Sequence, residues 1–412
     1  MLNTPEQDPR YSEAVRYHQS GDTKAAMPLY EKLYQRWPYH PHLLASYGTC
    51  KMQLGDIIGG LPLLEQALHY DSSMVFAKTN RASALSSLGR YSEALEAYDG
   101  LPASADILAN RAALLAHMKR YEEALETYRQ ALELDSTVAR YHHDYGSVLS
   151  IQERYEEALA SFNEALRLNP RYAEAYINQG RMLHQLKRSE EAVISYNAAL
   201  AINAHSIYAY TGLCSALMEL KRYEEARTVV EEALAQDTNK TFYLYQAVIL
   251  YHLFDYRGAL DATGHALALE KDAADAWAHR GYVLMAMRRH SEARACYDKA
   301  LAINPEGNDE NWANALLTLG SGDFMNGWPL YEWRWHREEG KHYVESWPKA
   351  PRWLGDWSIQ GKTLLVLCEQ GMGDTLQFCR FVPHIISLGA KVKLVVQKPL
   401  VNLLRSLHPE VE

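Results

Sequence analysis

The sequence predicts a mainly α-helical chain, a solenoid of antiparallel helix pairs, followed by an incomplete α/β fragment. Three observations carry that reading. A motif of Tyr-Glu-Glu-Ala, then an aromatic residue, then Ala-Leu returns about every 34 residues, best seen at Tyr121…Ala124…Tyr128…Ala131 and Tyr155…Ala158…Phe162…Ala165. A period of that length belongs to stacked supersecondary units that bury their apolar faces on one another. Small residues recur at two fixed places in the period, as helices in close approach require. Beyond Gly361 the helical spacing gives way to apolar runs of strand length.

With the first Tyr of the motif set at place 17, the units run 7–40, 41–74, 75–104, 105–138, 139–172, 173–206, 207–240, 241–273 and 274–307. The first helix of each takes roughly places 1–14 and the second 15–28. Place 8 is small in Gly48, Ala82, Ala112, Gly146, Gly180, Cys214 and Gly281, and place 20 is Ala in most units, as in Ala94, Ala124 and Ala158. Tyr98, Tyr128, Phe162, Tyr196 and Tyr297 fill place 24, and Ala131, Ala165 and Ala199 at place 27 are where the next unit stacks. Pro38, Pro170 and Pro305 follow the second helix, where no amide donor is needed. Residues 1–307 thus hold nine repeats. Unit 241–273 loses one residue before Tyr256, and unit 75–104 ends early at Gly100-Leu101-Pro102; both predict altered turns.

This pattern resembles the tetratricopeptide repeat family over roughly residues 7–307, about three quarters of the chain. The resemblance implies a right-handed superhelix with the first helix of each pair lining the concave face. It also implies a protein or peptide segment as the partner held there. Place 6, on that inner face, carries Asn80, Asn110, Asp144, Asn178 and Gln246. An amide both donates and accepts, so such a row can hold an extended backbone without reading its side chains. The row is similar to the asparagine ladder of O-linked N-acetylglucosamine transferases, although Ser46, Gly212 and His279 interrupt it. The same residues would equally serve to cap or solvate the helices, and both readings stand.

Other features carry less chemistry. The Glu122-Glu123, Glu156-Glu157 and Glu224-Glu225 pairs open second helices, where carboxylates complement the helix dipole. His142-His143 are adjacent in a helix and point two ways, so no metal site is expected. No cofactor is implied. The net charge of −9 argues against nucleic acid or an anionic membrane as partner. No apolar run spans a bilayer, and the polar stretch Met1–Arg10 lacks the apolar core of a signal peptide. Scattered cysteines, with Cys50, Cys214 and Cys296 at packing positions, suit reduced thiols and a cytoplasmic location.

Composition shifts after Pro305, and seven of the nine tryptophans lie between Trp312 and Trp357. Residues 308–340 are expected to form a degenerate repeat and Trp-rich cap, with its rings packed toward the next domain. Residues 341–360, including Trp347-Pro348 and Pro351, read as an extended connector. Residues 361–412 follow as strand, helix, strand, helix, a truncated Rossmann-like βαβα unit. Lys362–Cys368 suits a buried parallel strand, Thr375–Leu388 a helix divided at Pro383, and Lys391–Gln397 a second strand. Gly371-x-Gly373 lacks the third glycine of a dinucleotide fingerprint, because Leu376 stands there, and no Walker lysine is present.

The loop Glu369-Gln370-Gly371-Met372-Gly373-Asp374, with Pro383 beyond it, resembles the opening of heptosyltransferase-like glycosyltransferases of the GT-B fold. With Gly361-Lys362-Thr363-Leu364 and the Trp-rich junction, it looks like bacterial proteins that join tetratricopeptide repeats to such a domain. The resemblance implies Asp374 as the base on an acceptor hydroxyl; N-capping the helix is the alternative. A nucleotide-sugar donor is implied only for a longer chain. Sequence 361–412 holds two strands of the first lobe and none of the donor-binding second lobe, so no transferase activity is expected from it alone. The primary reading is therefore an interaction scaffold, and the alternative is part of a repeat-bearing glycosyltransferase.

Overall fold

A computed structural model describes residues 4–337, 350–368, 371–407, 409 and 411. Glu369 and Gln370 of the predicted loop, the end of the predicted cap and Trp347-Pro348 of the connector lie outside the described residues. The chain divides into two compact units, one to Trp333 and one from Arg334.

The first unit is built from helix pairs. They are α1 Pro9–Gln19 with α2 Thr23–Arg36, α3 Pro41–Gln53 with α4 Ile57–Tyr70, and α5 Val75–Ser87 with α6 Tyr91–Tyr98. Next come α7 Ala105–His117 with α8 Tyr121–Leu134, α9 Ala139–Ile151 with α10 Tyr155–Leu168, and α11 Ala173–Gln185 with α12 Ser189–Ile202. The series continues with α13 Ile207–Glu219 and α14 Tyr223–Gln236, α15 Lys240–His252 and α16 Tyr256–Leu269, and α17 Ala274–Ala286 and α18 His290–Ile303. A further pair, α19 Asn308–Gly320 and α20 Phe324–Tyr331, ends the unit. The short unit 75–104 has more than an altered turn: α6 stops after 8 residues, where Gly100 takes φ +75°.

Each first helix ends the same way. One residue takes a left-handed conformation: Gly21, Gly55, Gly89, Lys119, Glu153, Lys187, Lys221, Phe254, Arg288 or Gly322. The next residue starts the second helix in one of two ways. Asp22, Asp56, Asp255 and Asp323 accept from the amide three residues on, at 2.8 to 3.3 Å. Arg90, Arg120, Arg154, Arg188, Arg222 and Arg289 instead fork onto the carboxylate three residues on, at 2.6 to 2.7 Å. The second Glu of each Tyr-Glu-Glu motif is thus held by an arginine fork as well as by the helix dipole.

Packing within pairs follows from the small places. A Cβ at Gly146 would stand 3.0 Å from the Phe162 ring, at Gly180 2.9 Å from Tyr196, and at Gly281 2.7 Å from Tyr297. The place-8 glycine therefore makes room for the place-24 ring. Phe162 and Tyr297 are fully buried, as are the alanines at place 20. Cys50, Cys214 and Cys296 are buried free thiols, and burial pushes Cys50 up to about 11 and Cys214 to about 12. Consecutive first helices also touch directly, from α7 to α9 and onward to α17. They form one continuous face.

In the second unit, β1 Thr363–Leu367 pairs in parallel with β2 Lys391–Val395, Thr363 opposite Lys391. Val411 makes one parallel bridge to Val392. The crossover holds α21 Met372–Phe378, a 3-10 turn Cys379–Phe381, and α22 Val382–Ser387, so the predicted helix is divided with Pro383 in the first turn of its second half. A 3-10 turn Lys398–Leu400 leads into α23 Val401–Leu404. The strands are less covered than a buried parallel pair would be: Leu365 is 45% and Val395 48% exposed, while Val392 is buried.

Candidate functional site

The first-helix face gathers most of the residues singled out from sequence. Asn80, Asn110, Asp144 and Asn178 are each the sixth residue of a 13-residue helix, on α5, α7, α9 and α11. All four are half-buried. Four consecutive repeats therefore set a polar side chain at the same helical position, and side chains at equivalent places share a face.

Gln246 does not join them. It is the seventh residue of α15, and Tyr245 is the sixth. The missing residue lies in the turn 237–239 between α14 and α15, not nearer Tyr256. One step along a helix is about 100°, which swings Gln246 off the row. Ala247 then becomes the buried small residue at place 8, the signal that could have placed the deletion.

The hydrogen bonds show what the row does in the free protein. Asn80 Nδ2 donates to Thr49 Oγ1 on α3 at 3.1 Å. Tyr245 and Ser215 on α13 share a hydroxyl hydrogen bond of 2.8 Å. Thr49 and Ser215 are each the ninth residue of the preceding first helix, so the sixth place reaches back to the ninth. Between α9 and α11 the link is His143, which lies 3.0 Å from Asp144 Oδ1 through Nδ1 and 3.0 Å from Asn178 Nδ2 through Nε2. Nδ1 bears the proton in that arrangement, donating to the carboxylate while Nε2 accepts from the amide. The Tyr172 ring lies 4.8 Å and the Phe162 ring 5.7 Å from His143. Its neighbour His142 turns to the Ser136 carbonyl at 3.0 Å, so the two rings do diverge. The Asn110 side chain makes no hydrogen bond among the described residues.

The breaks in the row have physical causes. At Gly212 a Cβ would come 2.4 Å from the Tyr196 ring of α12, leaving no room for a rung. From there on the face changes character. A pocket of about 180 Å³ opens between α15 and α17, lined by Val248, Tyr251, His252, His279, Tyr282 and Val283. His279, the sixth residue of α17, has a buried Nδ1 with no hydrogen-bond partner among the described residues. Burial holds its imidazole below the ordinary pKa, with Asp275 opposing.

In the second unit Gly371 caps α21 through backbone position alone, Gly373 is its second residue and Asp374 its third. Asp374 therefore does not N-cap the helix, because the chain is already helical where it stands. It is half-buried, and its side chain makes no hydrogen bond among the described residues. Thr375 Oγ1 donates to Gln397 Oε1 at 3.0 Å, joining this helix to the segment after β2. Among the described residues no group of His, Cys, Asp or Glu is placed to hold a metal, and no helix is long and apolar enough to cross a membrane.

Tetratricopeptide-repeat family models match residues 103–171, 147–207, 195–247 and 274–306. Those segments are tetratricopeptide repeats, and the remaining helix pairs continue their geometry. Protein FlbA of Caulobacter vibrioides is 27% identical over 179 residues, 40% of this chain. The chain spans about 28% of the length of FlbA. A tetratricopeptide repeat protein from Parabacteroides merdae is similar at 16% identity and a TM-score of 0.42, over 67% of this chain and 98% of that one. TTC0263, a thermophilic repeat protein of Thermus thermophilus, gives 25% identity and a TM-score of 0.38, over 44% of this chain and 100% of its own.

Proposed function

We propose that the first helices of these repeats form the concave face that binds an extended segment of a partner protein. Tetratricopeptide repeats are in general a scaffold for protein interaction. The single observation that carries the finer reading is the run of Asn80, Asn110, Asp144 and Asn178 at one helical position in four consecutive repeats. Asn80 and Asn178 each spend one amide hydrogen on a neighbouring helix. Each keeps a second amide hydrogen and the carbonyl oxygen for a partner backbone, and Asn110 keeps all of its capacity. The cross-links hold the rungs in place before binding, which lowers the ordering cost of association.

The test is a peptide library probed with the purified chain, with dissociation constants for the best binders. The Asn110→Ala, Asn178→Ala double variant is expected to weaken binding about tenfold or more at unchanged helicity, since two hydrogen bonds are lost. Binding that ignores both residues refutes the assignment of this face.

A second reading concerns residues 361–412. A parallel strand pair, Gly371 and Gly373 at the start of α21, and Asp374 in its first turn support part of a glycosyltransferase first lobe. On this reading Asp374 is the acceptor base, and the repeats select the acceptor protein. Calorimetric titration of the chain with nucleotide sugars tests it: heat of binding favours the reading, and its absence shows that this stretch of sequence is not a complete enzyme.

A further inference from the structure

The pocket between α15 and α17 continues the first-helix face past the point where the amide row stops. Its walls are valine and alanine with Tyr251 and Tyr282 at the sides, and its volume is about 180 Å³. An apolar cavity of ~150 Å³ already holds a benzene ring. One ring therefore fits here. Polar chemistry enters this apolar pocket with few groups. The exposed His252 is stacked on Tyr223, ring centroids 4.6 Å apart. His279 has its Nδ1 sealed from solvent with no partner among the described residues. A buried N–H without a partner is rarer than an under-satisfied acceptor, so Nδ1 keeps the lone pair and Nε2 carries the proton. Any hydrogen bond from His279 to an occupant is then a donation from Nε2.

We infer that this pocket is a specificity site for a tyrosine side chain of the bound segment, its ring between Tyr251 and Tyr282 and its hydroxyl oxygen accepting from His279. The inference rests on the proposed function, because it places the anchor on the same face as the backbone-holding rungs. An aromatic ring with a polar tip meets both demands of the pocket: apolar walls to cover and one donor to satisfy. An amide row holds any sequence, and an adjoining side-chain pocket supplies the selection that the row lacks.

The experiment titrates the intact chain with p-cresol, the tyrosine side-chain analogue, and with toluene, following the His279 imidazole by 1H–15N NMR. p-Cresol is expected to shift the His279 nitrogens and to bind about fivefold tighter than toluene, the effect of one neutral hydrogen bond. His279→Phe removes that preference, and Val248→Phe, at a half-buried lining position, blocks both probes at unchanged helicity. Equal binding of the two probes, an unmoved His279 or indifference to Val248→Phe overturns the pocket assignment and leaves the Asn110/Asn178 test standing. Cresol binding here, combined with peptide binding that ignores Asn110 and Asn178, keeps the pocket and overturns the proposed function.

Discussion

Gly281→Ala and Gly264→Ala should change stability in opposite directions, although both replace a glycine inside an α-helix. Alanine in place of glycine favours a helix by ~1 kcal/mol, and at Gly264 that gain stands nearly alone. A Cβ there meets only Arg280 Nη1 at 3.9 Å, an ordinary contact. At Gly281 the same Cβ would lie 2.7, 2.8 and 3.0 Å from three ring atoms of Tyr297, against ~3.5–4.0 Å for carbon atoms at optimal separation. The ring cannot retreat. Tyr297 is fully buried, its hydroxyl lies 3.4 Å from Met285 Sδ, and Tyr282 packs edge-on at 5.7 Å. Overpacking a filled core costs ~1–3 kcal/mol, and three contacts this short put the cost in the upper half of that range. The net expectation is destabilisation by ~1–2 kcal/mol at Gly281 and stabilisation by ~0.5–1 kcal/mol at Gly264. Urea unfolding followed by circular dichroism, with hydrogen exchange of α17 and α16 amides to localise the change, measures both. If Gly281→Ala is as stabilising as Gly264→Ala, the place-8 glycine is not there to admit the place-24 ring, and the packing argument for the repeat falls.

Phe254→Gly should raise stability by ~0.5–1 kcal/mol, because Phe254 holds φ +63° with its side chain 78% exposed, and a left-handed residue other than glycine is strained by ~1–2 kcal/mol; an unchanged or lowered melting temperature contradicts this. Asp8→Asn tests a pH-dependent cap. The guanidinium of Arg10, with its backbone amide, holds the buried Asp8 carboxyl down at about 2, below the ordinary 3.8, against the opposing cost of burial. A depressed carboxylate stabilises above its unfolded pKa and loses that contribution as pH falls through its folded value. The wild type should therefore outlast the variant in melts at neutral pH, with the gap closing between about pH 3.8 and about pH 2; a gap constant down to acid would show that the charge is not the source.

The repeat was legible because it is written redundantly: a misread unit is corrected by eight others. What stayed hidden lies where one unit departs from the rest. The motif does not locate the deletion ahead of α15, because Tyr223 and Tyr256 fix only their total separation and nothing between them marks the missing residue except Ala247. The shorter turn puts Tyr245, and not Gln246, at the sixth place. The loss at Gly212 was visible in sequence, but its cause was not, since Tyr196 belongs to a different helix. His143 read as one of two diverging histidines, and its bridge from Asp144 to Asn178 crosses 35 residues. Pairwise contacts between repeats, unlike the repeat itself, are not periodic enough to be read off a single chain.

The start of each second helix shows why the binding face should be sought elsewhere. Place 16 is Asp or Arg, and the choice is coupled to the residue three positions on: Glu always follows Arg, and Ala, Gly or Asn follows Asp. An aspartate cap opposite a glutamate would set two carboxylates against each other at one helix start, while an arginine cannot cap an amide and needs the carboxylate. The coupling commits the second Glu of every motif. Several of the first are committed as well: Glu224 pairs with Arg227 at 2.8 Å, Glu190 with Arg222 at 2.9 Å, and Glu122 accepts from Gln152 at 3.2 Å. Charges neutralised within the fold offer a partner little beyond exchange of one screened pair for another. The first helices present the reverse case, a row of half-buried amides with hydrogen-bonding capacity left over and, beside it, an apolar pocket lined by His279. Uncommitted amides and an open apolar pocket can both form new contacts, so the repeats with the amide row and the two that form the pocket are where a partner would gain most by binding.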